Sequence, residues 1–283
     1  MIAVADSGST TIDWRILRDD LSVEKMVSPG INPVYQSTEE IMQTLSEVVG
    51  KMRDGECSHV YFYGAGLLSP DTCARVTAAI GTLLPGCRVV AGSDLEAAAL
   101  ALLGDGDGIA AILGTGSNSG LYIGGRIVRS VPAGGFILGD EGSGAWLGKR
   151  LLSDYIKGLL PDVMDEAFRK EFPGLDYPAV VERVYRDAMP SRYLASFSPF
   201  LGRHRGLPYV RDLLQEGFGL FIRRNILSYG RPDLPLAVVG SVAAVYREEL
   251  AAAALKEGIG TVRVEAGAGD GLVRYFQRKT IGA

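Results

Sequence analysis

The chain contains the same short pattern twice: an apolar strand, a turn of glycine and hydroxyl residues, and a second apolar strand. The first copy covers residues 2–17, with its turn at 6–11, and the second covers residues 109–123, with its turn at 114–120. Apolar runs that stop at such turn residues are typical of buried strands, so each copy predicts a hairpin. Internal duplication is the simplest explanation, and it predicts a fold with two related halves.

The remaining apolar spacing extends this pattern around each hairpin. The first half is predicted to have the order βββαβαβα, with strands near 21–31, 59–63 and 87–91 and helices over 38–53, 71–84 and 94–103. The turn-rich stretch 104–108 predicts a domain boundary, and a length of 283 residues fits two domains. The second half is predicted to continue from its three strands with a mostly helical segment over 140–229, a strand at 236–239, a helix over 242–256, a strand at 262–265 and a terminal helix that ends near Lys279.

Composition limits the classes of function open to this chain. Hydrophobic residues make up 47% of it, but no apolar run is long enough to predict a transmembrane helix. The predicted strand at residue 2 leaves no room for a signal segment, so we expect a cytoplasmic protein. A net charge of -4, with both signs dispersed, disfavours nucleic acid as the main partner. The three cysteines lack C-x-x-C spacing, which disfavours a zinc site, an iron–sulfur cluster or a disulfide framework.

The first turn carries the groups that a metal-bound polyphosphate requires. Glycine lets backbone N–H groups approach phosphate oxygens, and a carboxylate such as Asp6 can hold Mg²⁺. An ordinary turn in which Asp6 bonds its own backbone is the alternative. The second turn has no aspartate, and its Gly114-x-Gly116 could be half of a dinucleotide-binding fingerprint. The full spacing of that fingerprint fails, however, and no helix is predicted to follow directly.

Three turns of this kind follow apolar strands, at 6–11, 114–118 and 240–241. Together they resemble the two phosphate motifs and the adenosine motif of the sugar kinase/actin/heat-shock ATPase superfamily. In detail the chain is most similar to N-acetylglucosamine kinases of the BadF-type ATPase group. The resemblance rests on VADSGSTTIDW at 4–14, GINP at 30–33, YGAG at 63–66, AGSDLEAAAL at 91–100, AAILGTGSNS at 110–119, GGFILGDEGSGAWLG at 134–148 and VVGSV at 238–242.

The resemblance implies an α/β fold of two ribonuclease H-like, actin-type ATPase domains. Each would have a mixed five-stranded sheet with flanking helices, and a cleft for nucleotide and sugar would separate the duplicated domains. The first domain would cover 1–106, and the second 107–283 with a helical insertion. The terminal helix is expected to pack back on the N-terminal domain.

The resemblance also implies ATP as co-substrate and Mg²⁺ as cofactor. Asp6 would hold the metal through water. The nucleotide and its phosphates would contact Gly8, Ser9, Thr10, Thr11, Gly114, Thr115, Gly116, Ser117, Gly240 and Ser241.

Asp94 matches the family's catalytic aspartate, which would accept the proton of the attacking sugar hydroxyl and contact the sugar. Taken alone, an Asp before an Ala/Leu run can equally be a helix N-cap. The other residues that would bind sugar are Asn32, Gly135, Asp140 and Glu141. Asp140 and Glu141 can instead be acidic residues at a helix start. The stretch between Gly135 and Gly139 is about two residues shorter than the family pattern.

The implied function is ATP-dependent phosphorylation of a sugar hydroxyl, with N-acetylglucosamine and its 6-hydroxyl expected as acceptor. The expected partners are a small sugar and ATP, with neither nucleic acid nor membrane, and the resemblance allows a homodimer. Two other functions share this fold. An ATPase that activates a reductase or dehydratase needs cluster-binding cysteines in the glycine loops. A non-catalytic sugar sensor has no need of a metal carboxylate and a base.

Overall fold

The structure is a computed structural model that describes residues 1–8, 11–52, 57–67 and 69–281. Its internal contacts divide the chain into two compact units. Unit 1 comprises residues 1–106, 124–126 and the chain from 267 onward, and unit 2 comprises residues 107–123 and 127–266. Unit 1 is therefore assembled from both ends of the chain.

Unit 1 contains a five-stranded sheet in the order β3-β2-β1-β4-β5. The strands β1, β2 and β3 pair antiparallel, whereas β1, β4 and β5 pair parallel. The strands are β1 (Ile2–Ser7), β2 (Thr11–Leu17), β3 (Val23–Pro29), β4 (His59–Gly64) and β5 (Arg88–Ser93). The helices are α1 (Thr38–Gly50), α2 (Pro70–Leu83), α3 (Asp94–Leu102) and, from the C-terminal end of the chain, α13 (Gly269–Ile281).

The helices of unit 1 begin where their sequences supply caps. The hydroxyl groups of Ser37 and Ser93 each accept a hydrogen bond from the backbone N–H of the residue three positions on. That residue is a glutamate in both helices, and its carboxylate accepts the backbone N–H of the serine, which completes a capping box. Ile41 and Leu45 of α1 lie on one helical face and pack into the core that contains Trp14. A capped amphipathic helix therefore covers the sheet as its apolar spacing predicts.

Unit 2 contains a second five-stranded sheet, in the order β10-β9-β6-β7-β8. Its strands are β6 (Gly108–Leu113), β7 (Ser117–Ile123), β8 (Arg126–Val131), β9 (Leu236–Val239) and β10 (Val262–Glu265). Its helices are α4 (Gly135–Leu138), α5 (Gly144–Ile156), α6 (Asp162–Glu171), α7 (Tyr177–Tyr185), α8 (Pro190–Ala195), α9 (Ser198–Arg203), α10 (Pro208–Phe221), α11 (Ser241–Val245) and α12 (Arg247–Lys256). A π-helical turn (Ile222–Ile226) and a 3₁₀ turn (Leu227–Tyr229) follow α10.

The two sheets with flanking helices confirm the predicted fold class. Three local predictions need correction. Asp6 lies inside β1 and opposite Asp13, because the strand pairing extends through Ser7. The second turn is shorter than predicted, since Ser117 already pairs with Leu113 in the sheet. The helix predicted over 242–256 breaks at Tyr246, which separates α11 from α12.

None of the helices in the described part of the chain is both long enough and apolar enough to cross a lipid bilayer. Several helices of unit 2 bury apolar side chains in its core. Leu151 of α5, Phe168 of α6 and Phe218 of α10 are completely buried in one apolar cluster.

Candidate functional site

Asp6 lies next to the carboxyl end of the central strand β1, between β2 and β4. Its half-buried carboxylate accepts a hydrogen bond at Oδ2 from the backbone N–H of Ala268, 3.0 Å away. Burial raises the pKa of Asp6, and the negative charge of Asp13 raises it further, while the Ala268 hydrogen bond and the positive charge of Arg15 lower it. The protein thus holds a partly desolvated carboxylate at the end of the sheet.

The chemistry of this carboxylate fits a divalent cation. Among the described residues, Ala268 is the only one that donates a hydrogen bond to the Asp6 carboxylate, which leaves Oδ1 as a ligand atom. A cation would also offset the desolvation of the anion. No group of three or more metal-ligating side chains occurs within the ranges that the structure describes. Mg²⁺ commonly binds one or two carboxylates and completes its shell with water and phosphate oxygens, so Asp6 with water suits it.

The first turn predicted to bind phosphate, between β1 and β2, is only partly described. Gly8 donates its N–H to the carbonyl of Thr11, at 3.0 Å, and so closes the turn between β1 and β2. Thr11 is the exposed first residue of β2. Ser9 and Thr10, which we predicted to bind phosphate, lie outside the described residues.

Asp94 is the first residue of α3, directly after β5. The cap is Ser93, whose hydroxyl accepts from the Glu96 N–H while the Glu96 carboxylate accepts from the Ser93 N–H. Asp94 therefore does not cap the helix, and its Oδ1 accepts only from the N–H of Leu95, at 2.8 Å, among the described residues. Burial raises the pKa of Asp94, and the negative charge of Asp6 adds to this rise. The structure therefore brings Asp6 and Asp94 into one electrostatic environment.

Asn32 lies in the loop after β3, and its side chain organises that loop. Its Oδ1 accepts the N–H of Val34 at 3.1 Å, which forms an Asx turn that spans Pro33. Its own N–H donates to the side-chain oxygen of Gln36 at 2.6 Å. Among the described residues, none accepts a hydrogen bond from the amide nitrogen of Asn32. The predicted contact of Asn32 with sugar stays a prediction.

In unit 2 the turn between β6 and β7, the second turn predicted to bind phosphate, is held by the start of α5. Gly144 donates its N–H to the Gly114 carbonyl at 2.8 Å, and Ala145 donates to the Thr115 carbonyl at 3.0 Å. The backbone of Gly240 passes against the same turn, with a φ of +139°. A Cβ at Gly240 would lie 2.1 Å from the carbonyl oxygen of Leu113, so only glycine fits there.

Gly114, Thr115 and Ser241 line one cavity of about 300 Å³ in unit 2. This volume is at the lower end of the range for small-molecule sites. The cavity brings together residues from two of the predicted nucleotide motifs. It also contains residues that sequence reasoning missed, namely Arg192, Ser196, Ser198, Val245 and Tyr246. No sequence motif marked the residues on α8 and α9, because they reach the cavity only through the tertiary fold of the helical segment.

Asp140 directly contacts the turn between β6 and β7. Its buried carboxylate accepts the N–H of Ser117 at 3.0 Å and packs against Gly116. Its φ of +53° is in the left-handed region, which is uncommon for a residue other than glycine. Burial raises the pKa of Asp140, the Ser117 N–H lowers it and the charge of Glu141 raises it. Strain of this kind is concentrated at functional sites, where surrounding contacts hold it.

Glu141 and Gly135 have different surroundings from Asp140. The buried Glu141 carboxylate pairs with Nε of Arg224 at 2.7 Å and accepts from Nδ2 of Asn225 at 3.4 Å, both from the π-helical turn. Those contacts give Glu141 a structural role. Gly135 is the exposed first residue of α4, with a φ of +66° and nothing near its side-chain position. The predicted sugar contacts of these residues stay predictions.

Comparison with solved structures identifies the family. A structure named "Putative N-acetylglucosamine Kinase", from Porphyromonas gingivalis, matches with a TM-score of 0.92 and 43% sequence identity, over 99% of this chain and 100% of that one. The chain belongs to this N-acetylglucosamine kinase-like family. The resemblance inferred from the sequence motifs is therefore confirmed.

More distant structures agree with this N-acetylglucosamine kinase-like fold. Another "Putative N-acetylglucosamine Kinase", from Chromobacterium violaceum, has a TM-score of 0.73 and 20% identity, over 98% of each chain. Glucokinase from Balamuthia mandrillaris, in complex with glucose, has a TM-score of 0.51 and 13% identity, over 98% of this chain and 93% of that one. These two likenesses concern the fold alone. No protein-family model matches the chain, and a search of curated proteins found no match.

Sequence reasoning missed the groups that surround Asp6. Arg15 and Ala268 carried no functional prediction, although Ala268 lies in the glycine-rich stretch 266–269 after the last strand. A glycine-rich turn after a strand was the signal by which the other loops were found. Applied at 266–269, the same signal would have pointed to this contact.

Proposed function

We propose that this protein is an ATP-dependent sugar kinase that transfers the γ-phosphoryl group of ATP to the 6-hydroxyl of N-acetylglucosamine. The observation that carries the proposal is the pair Asp6 and Asp94, two partly desolvated carboxylates at the carboxyl ends of β1 and β5, parallel strands of unit 1 that flank β4. Membership of the N-acetylglucosamine kinase-like family supports both the activity and the choice of sugar. Neither a sugar sensor nor a plain structural unit needs this pair.

We assign the general base to Asp94. A base must be deprotonated and must accept the hydroxyl proton as the new bond to phosphorus forms. The raised pKa makes Asp94 a stronger base than an ordinary aspartate. Its hydrogen bond from Leu95 holds Oδ1, which fixes the side chain and leaves Oδ2 to receive the proton.

We assign the remaining roles by chemistry. Asp6 would hold Mg²⁺ through water, and the bound cation would neutralise charge on the phosphate oxygens. In unit 2, the backbone of 114–117 and the cavity beside Gly240 and Ser241 would hold the nucleotide. The carboxylate of Asp140 would orient sugar hydroxyls, and its bond to Ser117 couples that role to the phosphate turn. The homodimer and the cytoplasmic location stay predictions.

A panel of sugars tests the proposal. Purified protein with Mg²⁺ and ATP is expected to release ADP when N-acetylglucosamine is added and to release little without sugar. Glucose, N-acetylmannosamine and N-acetylgalactosamine complete the panel, and ³¹P and ¹H NMR of the product identify the phosphorylated oxygen.

The outcomes separate the three functions that the sequence left open. ADP release that no sugar stimulates contradicts the kinase and favours the activator-type ATPase. Tight binding of a sugar by calorimetry, without ADP release, favours the sensor. Stimulation by another sugar in the panel keeps the kinase but replaces its acceptor.

A further inference from the structure

The carboxylate of Asp6 is held by the opposite end of the chain. The N–H of Ala268 donates to Oδ2 of Asp6 at 3.0 Å, and the side-chain position of Gly267 lies 3.7 Å from the same oxygen. The Ala268 carbonyl in turn accepts the N–H of Leu272 at 2.9 Å, as part of the first turn of α13. The place of this donor therefore depends on where α13 begins.

The start of α13 is tied to the sheet by Arg15. The guanidinium of Arg15 is buried, with 7% of the residue exposed. Its Nε donates to Oδ1 of Asp270 at 2.9 Å, and its Nη1 donates to Asp13 and to the Trp14 carbonyl. Asp270 also pairs with Lys25 at 3.1 Å. Asp270 lies two residues after Ala268 and so is in the same turn.

The same network faces Asp6 from the neighbouring strand. Asp13, which pairs with Arg15, is directly opposite Asp6 in the β1–β2 ladder. A buried guanidinium that loses a carboxylate partner leaves an uncompensated charge, so both carboxylates restrict its position. Charge-assisted hydrogen bonds are also shorter and stronger than neutral ones. Arg15 thus joins the strand beside Asp6 to the turn that donates to Asp6.

We propose that the Arg15–Asp270 pair is a positioning device that presents the Asp6 carboxylate to the divalent cation. The pair acts by holding the Ala268 N–H on Oδ2, so that Oδ1 keeps one orientation. Groups that orient a metal ligand in this way commonly change metal affinity by about 10-fold or more. The inference rests on the proposed metal role of Asp6, but it does not depend on which sugar is phosphorylated.

The test compares two substitutions in the full-length protein, each of which removes the carboxylate of one ion pair that involves α13. Asp270→Asn weakens the bond to Arg15, next to Asp6. Asp105→Asn is the matched control, because Asp105 pairs with Lys279 at 2.8 Å and with Tyr275 toward the other end of α13. ADP binding is measured by calorimetry across a Mg²⁺ series without sugar. Hydrogen exchange of the Ala268 amide is followed in the same samples.

Asp270→Asn is expected to raise the Mg²⁺ concentration for half-maximal ADP binding by roughly 10-fold, with Mg²⁺-free ADP binding unchanged and faster exchange at Ala268. Asp105→Asn is expected to match the wild type in both measurements. The inference is overturned if the Mg²⁺ series of Asp270→Asn overlays that of the wild type, or if Asp105→Asn shifts the series as much. Wild-type ADP binding that ignores Mg²⁺ overturns the metal role of Asp6 itself, which is a distinct result.

Discussion

At the scale of single residues, Asp94 decides between two interpretations of one sequence pattern. An aspartate before an Ala/Leu run could have been a cap, but Ser93 and Glu96 form the capping box and leave Asp94 outside it. Its burial beside Asp6 raises the pKa of Asp94, which costs stability whenever the group is ionised. Asp94 lowers the stability of the fold when it is ionised, and it does not cap α3. A catalytic role therefore explains this residue best.

Asp94→Asn is expected to lower turnover by roughly 100-fold or more, because the general base is lost, while calorimetry still detects sugar binding. Asp162→Asn is the matched control, since Asp162 is also an aspartate in the first turn of a helix but is exposed. Its turnover should equal that of the wild type. Equal turnover in both variants would return Asp94 to a structural role.

The same substitution has an expected effect on stability with a definite sign. A raised pKa means that folded Asp94 binds a proton more tightly than unfolded Asp94, so this group's contribution to stability falls as pH rises from the ordinary pKa through the folded one. Without ligands at pH 8, Asp94→Asn should therefore melt above the wild type, by about 2 °C for each kcal/mol recovered. The difference should shrink near pH 4. A lower melting temperature at pH 8 would contradict the pKa direction.

At the scale of secondary structure elements, glycines decide which helices can touch. Gly148 is inside α5, where helix propensity disfavours glycine, yet a Cβ there would lie 1.8 Å from the carbonyl oxygen of Leu194. The backbones of α5 and α8 therefore meet at this point. The sequence showed a glycine in a helix, but the partner that requires it lies in another element.

Gly148→Ala is expected to destabilise the protein by about 3 kcal/mol, as overpacking against a backbone atom does. Gly81→Ala in α2 is the matched control, since no atom lies within 4 Å of its side-chain position. That change should stabilise the protein by about 0.5–1 kcal/mol, because alanine is the better helix former. Urea unfolding measures both, and opposite signs are the expected outcome. Equal effects would mean that the α5–α8 contact is looser than described.

At the scale of the whole molecule, unit 1 is discontinuous in sequence. Leu272, Val273 and Phe276 of α13 are buried, and the ring of Phe276 stacks on Tyr61 of β4 with 3.9 Å between centroids. The chain contains two tryptophans, and each unit buries one of them, Trp14 in unit 1 and Trp146 in unit 2. The stability of each unit can therefore be followed separately.

Leu272→Ala is expected to destabilise unit 1 by about 2–5 kcal/mol, the usual cost of a cavity in a core. The change is measured by urea unfolding in a Trp146→Phe background, where fluorescence reports Trp14. Leu214→Ala is the counterpart in unit 2, and it is measured in a Trp14→Phe background. Each substitution should shift the transition of its own unit more than that of the other. Equal shifts in both reporters would show that the two units unfold together.

The sequence by itself determined the element order of the first half, the duplication and the family. Strand alternation, helix caps and glycine turns are local properties, so they can be recognised within a few residues of Ser37, Ser93 or Gly114. The same locality explains why Asp6 could be singled out, as it follows a predicted strand, whereas Asp94 was singled out by its match to the family motif. Strand ends were less certain because they depend on the partner strand, which is why Asp6 and Ser117 were placed in turns.

Only the tertiary structure decided what surrounds these residues. Arg15 and Asp270 are 255 residues apart, and Asp6 and Ala268 are 262 apart. Asp140 meets Ser117 across 23 residues, and Glu141 meets Asn225 across 84. No local pattern encodes such contacts, because they exist only once the chain has folded back on itself. Burial, and with it the raised pKa values of Asp6 and Asp94, has the same origin.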